Sequence, residues 1–115
     1  MIILAWMDDW QMSAKLAKLS TDNAYQLIFY ERGLQFRSLE TQRVLIIDIW
    51  DAEGYDLEQV TYWGKDDSAF IIGYAYEMDG IQRKTLRKLG FDMVLRRSKL
   101  LNNLDAILKK ITNAV

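Results

Sequence analysis

The sequence predicts a three-layer α/β domain, in which a five-stranded parallel sheet is covered by helices on both faces. Short apolar runs alternate with segments of helical periodicity along all 115 residues. The predicted strands are apolar throughout, which is typical of strands that are buried on both faces. Because no linker, internal repeat or low-complexity segment interrupts this alternation, we expect a single domain over residues 1–115.

The first half of the chain contains three predicted strands and two predicted helices. The strands are the apolar runs at 2–7, 25–30 and 44–50. The first helix, 10–19, carries apolar residues at helical spacing, namely Met12, Leu16 and Leu19. A short second helix, 33–40, turns Phe36 and Leu39 inward.

The second half adds two strands, at 69–74 and 93–95, and three helices. A helix is predicted at 57–63, although its segment QVTYW also suits a strand. The basic helix at 80–89 is predicted to turn Ile81 and Leu86 inward, and an amphipathic helix at 100–111 closes the chain.

Composition excludes several function classes. The formal net charge of -1 provides no basic surface for nucleic-acid binding by this chain. The absence of cysteine and histidine excludes disulfides, zinc-thiolate sites and Ser-His triads. The amino-terminal segment MIILAWMDDW meets acid too early for a signal peptide or a membrane span, so we expect a cytoplasmic protein.

Acidic residues follow two strands that should be neighbours. Asp48 lies near the carboxyl end of the third strand, and Asp8 and Asp9 follow the first. In open parallel sheets, ligands bind beyond the carboxyl ends of the strands. Three carboxylates gathered there would repel one another unless a cation offset their charge, and Mg²⁺ prefers such oxygen ligands. Asp9 alternatively serves only to cap the following helix.

These features resemble the receiver domain of response regulators in two-component signalling. The similar segments follow in order along the chain: ILAWMDDW at 3–10, YQLIFYERG at 25–33, LIIDIWDAEGYDLE at 45–58 and LGFDMVLRRSKLLNNLDAIL at 89–108. The resemblance covers nearly the whole chain and implies a flavodoxin-like sheet with strand order 2-1-3-4-5.

The resemblance also implies roles for individual residues. Asp48 would be the phosphoacceptor, receiving its phosphoryl group from a histidine kinase or a phosphotransfer protein. Asp8, Asp9 and Asp48 would bind Mg²⁺ together with the backbone carbonyl of Trp50. Any enzymatic activity would be limited to self-phosphorylation and self-dephosphorylation.

Two departures from the family pattern concern this same site. Tyr74 stands where the family usually has threonine or serine, or Gly73 does if the alignment shifts by one residue. Arg97 stands at the usual lysine, and Ser98 follows it in place of proline. Because arginine lacks the compact ammonium geometry of lysine, the exchange is not conservative. A pseudo-receiver that binds proteins without phosphorylation is therefore the alternative.

Expectations about partners rest on fewer residues. Trp6 is predicted in the core, whereas Trp10 and Trp50 are predicted to be partly exposed and to favour an interface. The resemblance implies a homodimer through the fourth helix, fifth strand and fifth helix, and allows an output domain on a longer chain. A flavodoxin-like enzyme or nucleotide binder is disfavoured because no glycine-rich loop follows the first strand.

Overall fold

A parallel sheet of five strands in the order β2-β1-β3-β4-β5 forms the centre of the molecule. The computed structural model describes residues 1–29, 42–50, 57–66 and 69–113. The strands are β1 (Ile2–Trp6), β2 (Gln26–Phe29), β3 (Arg43–Asp48), β4 (Phe70–Ala75) and β5 (Met93–Arg96). The helices within these residues are α1 (Trp10–Asn23), α2 (Leu57–Asp66), α3 (Gly80–Leu89) and α4 (Arg97–Asn113). The predicted fold class and strand order are confirmed.

Helices cover both faces of the sheet, as the uniformly apolar strands predict. On one face, α1 and α4 pack against the sheet through Met12, Leu16, Leu100, Leu104 and Leu108. On the other face, α2 and α3 contribute Val60 and Leu86. Successive strand residues alternate between these two cores, so every residue of β1 is buried, including Trp6. None of the helices in the described part of the chain is long and apolar enough to cross a membrane.

The predicted elements agree with the structure in type, and several differ in length. The segment predicted at 57–63 is a helix and extends to Asp66. The first helix continues to Asn23 and ends at Ala24, which has a left-handed backbone conformation with φ of 57°. The last helix begins earlier than predicted, at Arg97. The helix predicted at 33–40 lies outside the described residues.

The inward position predicted for Ile81 is wrong. Leu86 is buried, but Ile81 is 79% exposed. Five residues on an α-helix correspond to a rotation of about 140° from the same face, so both side chains cannot point toward the sheet. The core-facing partners of Leu86 are instead Leu89 and the residues of the sheet that pack against it.

Strand register places the carboxyl ends of β1, β3, β4 and β5 along one edge, here called the carboxyl edge. Trp6 of β1 lies beside Ile47 of β3, and the next β3 residue, Asp48, lies beside Tyr74 of β4. Ala75 then lies beside the last β5 residue, Arg96. The residues that follow β1 and β5 therefore reach the same edge as Asp48 and Tyr74.

Candidate functional site

Asp9 lies at the carboxyl edge, where the chain passes from β1 into α1. It is the N-cap residue of α1, and its carboxylate Oδ1 accepts a hydrogen bond from the backbone N–H of Met12 at 3.1 Å. The N–H groups in the first turn of an α-helix have no acceptor within the helix, and the carboxylate of Asp9 supplies an acceptor for one of them. Asp9 therefore caps α1, although capping is not its only role, because further groups bind the same carboxylate.

Arg97 holds the same carboxylate with two hydrogen bonds. Its Nε donates to Asp9 Oδ2 at 2.8 Å, and its Nη2 donates to Asp9 Oδ1 at 3.0 Å. Arg97 reaches Asp9 because α4 begins directly after β5, at the end of the sheet. Paired hydrogen bonds between guanidinium and carboxylate are the strong and directional form of this interaction.

Two further contacts fix the guanidinium of Arg97. Its Nη2 also donates to Gln11 Oε1 at 2.9 Å. Its central carbon lies 5.1 Å from the centre of the Tyr76 ring, within the range of a cation–π interaction. The Asp9–Arg97 pair is thus held from α1, α4 and the segment after β4.

Tyr74 directs its hydroxyl to Asp9. The residue is buried at the end of β4, and its hydroxyl donates to Asp9 Oδ2 at 3.1 Å. The Sδ of Met7 lies 3.7 Å from the same hydroxyl. A residue at the position where the resemblance implies a phosphoryl-binding hydroxyl therefore binds the acid that follows β1. We call Asp9, Tyr74 and Arg97 the edge triad.

The pKa values of the edge triad reflect these contacts. The hydrogen bonds from Arg97 lower the pKa of Asp9 below its usual value, and those from Met12 and Tyr74 act in the same direction against the effect of burial. Burial raises the pKa of Tyr74 strongly, and the charges of Asp48 and Asp9 add to that effect. The hydrogen bond to Asp9 raises the pKa of Arg97. A charged Asp9–Arg97 pair with a neutral Tyr74 is the stable state.

Asp48, the predicted phosphoacceptor, is the last residue of β3 and is partly buried. Its Oδ1 accepts a hydrogen bond from the backbone N–H of Trp50 at 3.0 Å, which turns the chain two residues before the predicted end of that strand. The backbone N–H of Ile49 donates to the carbonyl of Tyr74 at 2.9 Å. Asp48 and Tyr74 are therefore fixed side by side.

The acidic residues do not gather as the sequence suggests. Asp8 is exposed, and Asp9 uses Oδ1 to accept from Met12 and Arg97 and Oδ2 to accept from Arg97 and Tyr74. Across 1–29, 42–50, 57–66 and 69–113, no three acidic side chains form a group suited to a metal ion. A carboxylate offers about four lone-pair sites, so these contacts use the full acceptor capacity of Asp9.

This donor set does not fit Mg²⁺ in the arrangement observed. Arg97 supplies beside Asp9 the positive charge that the sequence assigns to an ion, so the charge of Asp9 is already balanced. The predicted roles of Asp8, Asp9, Asp48 and the Trp50 carbonyl as metal ligands stay predictions.

Sequence reasoning names every member of the edge triad but misses their mutual contacts. It assigns Arg97 and Tyr74 to a phosphoryl group and Asp9 to a metal or a helix cap. It also misses Gln11 and Tyr76 as partners of Arg97. The available signal is limited to location, because the acidic pair after the first strand and the arginine after the fifth both follow strand ends at the same edge of a parallel sheet.

Comparison with known proteins gives the fold its name. No family model matches the chain, and no curated protein matches it either. A response regulator from Thermotoga maritima superimposes with a TM-score of 0.72 at 10% identity, over 98% of this chain and 98% of that chain. The chain has the fold of a response-regulator receiver domain.

Two other solved structures share this receiver fold. A protein described as the pilus assembly protein CpaE of Burkholderia thailandensis has a TM-score of 0.65 and 19% identity, covering 97% of this chain and 98% of its own. The regulatory domain of the biofilm regulator CsgD has a TM-score of 0.61 and 13% identity, covering 97% of this chain and 87% of its own. At these identities the similarity concerns the fold, and the chemistry of the edge rests on its residues.

Proposed function

We propose that this chain is a receiver-fold signalling module that acts through protein contacts without phosphorylation of Asp48. The observation that carries the proposal is the commitment of Arg97 and Tyr74 to Asp9. The family resemblance assigns the groups at these two positions to a phosphoryl group on the acceptor aspartate. Here both groups donate hydrogen bonds to a different carboxylate.

Electrostatics supports the same proposal. A phosphoryl group on Asp48 would replace the single charge of that carboxylate with about 1.5 to 2 negative charges, beside the charged carboxylate of Asp9. Arg97 is already paired with Asp9, and both side chains are largely shielded from water. Binding the phosphoryl group would therefore require Arg97 to leave Asp9, Gln11 and the Tyr76 ring. The loss of these contacts would oppose binding of the phosphoryl group.

The second candidate function is phosphoryl acceptance on Asp48 from a histidine kinase or a phosphotransfer protein, in the presence of Mg²⁺. One observation favours it: Asp48 lies at the carboxyl end of the central strand β3 and keeps part of its surface exposed. In that case the Asp9–Arg97 pair would describe the resting state, and Arg97 would change partners on activation.

Both candidates describe a cytoplasmic regulatory domain, which acts on a partner or on an output domain of a longer chain. The CsgD structure is described as a regulatory domain, and this is the role we propose here. A homodimer through α3, β5 and α4, which are the predicted fourth helix, fifth strand and fifth helix, is compatible with either candidate.

Intact mass measurement after incubation with a small-molecule phosphodonor and Mg²⁺ separates the two candidates. We expect no adduct on the wild-type chain, with circular dichroism showing that the protein is folded. A Tyr74→Thr/Arg97→Lys double variant restores the residue types usual in the family and should become able to accept a phosphoryl group. An adduct on the wild type that requires Mg²⁺ and is lost in Asp48→Asn would establish the second candidate instead.

A further inference from the structure

Three large aromatic side chains stand exposed at the carboxyl edge. Trp10, Trp50 and Tyr76 are 86%, 76% and 74% exposed, and we call them the aromatic rim. They follow the ends of β1, β3 and β4, which are neighbours in the sheet. Because large aromatic side chains are highly buried on average, three of them along one edge mark an interaction surface.

Exposed carboxylates lie beside the aromatic rim. Asp8, Glu77 and Asp79 are exposed on the segments that follow β1 and β4. Asp9 is neutralised by Arg97 and Asp79 caps α3, so Asp8 and Glu77 are the exposed carboxylates that lie next to the rim residues in the chain. Exposed cations lie at the same edge: Arg96 ends β5, Lys99 lies in the first turn of α4, and Arg83 lies in the first turn of α3, which Asp79 caps.

The chain itself shows how such an edge binds a cation. Arg97 lies over the ring of Tyr76 while its guanidinium forms paired hydrogen bonds with Asp9. An aromatic face and a carboxylate together therefore bind one arginine. Within the described part of the chain, no cation lies over the rings of Trp10 or Trp50, although exposed Asp8 is close in sequence to Trp10.

We propose that the aromatic rim docks a basic segment of a protein partner, whose arginine or lysine side chains stack on Trp10 and Trp50 and pair with the exposed carboxylates. This inference rests on the proposed function, because a closed edge triad keeps the rim in one state without phosphorylation. The contact of Arg97 with both Tyr76 and Asp9 is the precedent for a basic partner, and Asp8 and Glu77 provide complementary charge next to Trp10 and Tyr76.

A second copy of the chain is the competing occupant. The exposed face of α3 is basic through Arg83, Lys84, Arg87 and Lys88, so one molecule's α3 could meet another molecule's rim. Sedimentation analysis of the chain alone tests this possibility. We expect a monomer over the concentration range of the binding experiment. Self-association that is lost in Trp10→Ala/Trp50→Ala would overturn the proposal.

Peptide binding provides the direct test. The probe is a labelled synthetic peptide of alternating arginine and serine, titrated with the chain at low salt without phosphodonor and followed by fluorescence anisotropy. We expect saturable binding that weakens about tenfold in Trp10→Ala/Trp50→Ala, given the strength of desolvated cation–π contacts. Tyr62→Ala is the matched control, because Tyr62 is an exposed aromatic on α2, and it should bind as the wild type does.

Several outcomes would overturn the inference. Equal affinity of the double tryptophan variant, or equal binding of a peptide of alternating glutamate and serine, would exclude recognition of a basic segment by the rim. The mass experiment tests the proposed function independently of peptide binding. A phosphoryl adduct on Asp48 would refute the proposed function while leaving peptide binding in the absence of donor unchanged, whereas loss of tryptophan-dependent binding would refute the inference alone.

Discussion

Two ion pairs at opposite edges of the sheet are built alike but differ in their surroundings. At the amino edge, before β5, Asp92 pairs with Lys65 of α2 at 2.7 Å and accepts the backbone N–H of Ile71 at 2.8 Å. At the carboxyl edge, Asp9 pairs with Arg97 and accepts the backbone N–H of Met12. Each aspartate therefore satisfies one main-chain donor and one cation.

The two pairs differ in exposure and in the third group bound. The side chains of Lys65 and Asp92 are 46% and 29% exposed, whereas those of Arg97 and Asp9 are 14% and 9% exposed. Tyr74 adds a hydroxyl donor at the carboxyl edge. The same ionic arrangement thus ties α2 to the sheet at one edge and fixes the candidate site at the other. Shielding from water should make the second pair the stronger one.

The two edges should differ most in how much stability is lost when Arg97 or Lys65 is replaced. Arg97→Met keeps an apolar stem but leaves the shielded charge of Asp9 unpaired, so we expect the free energy of unfolding to fall by about 2–4 kcal/mol. Lys65→Met removes a more exposed charge and should cost less than about 1 kcal/mol. Urea denaturation at pH 7 measures both values. Equal losses would show that shielding does not distinguish the two edges.

Acid should weaken the carboxyl edge in a defined direction. The pKa of Asp9 is lowered in the folded state, chiefly by Arg97, so its carboxylate stabilises the fold at pH values above its unfolded pKa of about 3.9. That stabilisation is lost as the pH falls through the folded value. We expect wild type to be more stable than Asp9→Asn at pH 7 and the difference to shrink steadily in acid.

Urea titrations of the two proteins from pH 7 downward check this prediction. The asparagine side chain of the Asp9→Asn variant can still cap α1, so the difference isolates the charge of Asp9 from its role as a helix cap. Carboxylates far from Asp9 titrate alike in both proteins and cancel in the comparison. A difference that stayed constant with pH would mean that the Asp9–Arg97 charge interaction contributes nothing.

Much of the fold could be predicted from the sequence because the strands are apolar without alternation. That pattern requires cover on both faces, and the structure provides it with α1 and α4 on one face and α2 and α3 on the other. The error at Ile81 arose from helical phase, since neither the capping box at Asp79 nor the apolar character of Ile81 fixes which side chain faces the sheet.

The site could be predicted only as a location. Acids at strand ends indicate the carboxyl edge, and the resemblance adds Tyr74 and Arg97 to it. Their contacts with Asp9 depend on how far two long side chains extend across three strands, which sequence spacing does not encode. Exposure of Trp10 and Trp50 was predicted and is confirmed. Tyr76 is exposed as well, and Arg97 lies over its ring.

Removal of the Tyr74 hydroxyl should have a smaller effect on the free energy of unfolding. Tyr74→Phe keeps the buried ring and removes one hydrogen bond to Asp9, so we expect a loss of about 1 kcal/mol by urea denaturation. Tyr62→Phe, on an exposed ring, should leave stability unchanged. A loss as large as that of Arg97→Met would mean that the hydroxyl, rather than the cation, holds Asp9.

Ionisation of the same hydroxyl should weaken the fold at alkaline pH. Burial raises the pKa of Tyr74, so an unfolded chain ionises this tyrosine first, near pH 10. The contribution of the Tyr74 hydroxyl to stability is therefore complete below that pH. It is lost as the pH rises toward the pKa of Tyr74 in the folded state. We expect the difference in stability between wild type and Tyr74→Phe to shrink above about pH 10. A difference that grew there would contradict the raised pKa.

The smallest effect is expected for an ion pair that belongs to neither edge. Lys109 and Asp105 are exposed, lie four residues apart on α4 and contact each other at 3.2 Å. Lys109→Met should lower the free energy of unfolding by only about 0.3–0.5 kcal/mol, because water screens the pair and both residues are already fixed by one helix. Urea denaturation beside Arg97→Met and Lys65→Met then orders three pairs by exposure. If Lys109→Met cost as much as Arg97→Met, burial of the carboxyl edge would not explain its strength, and the special role assigned to Arg97 would lose its physical basis.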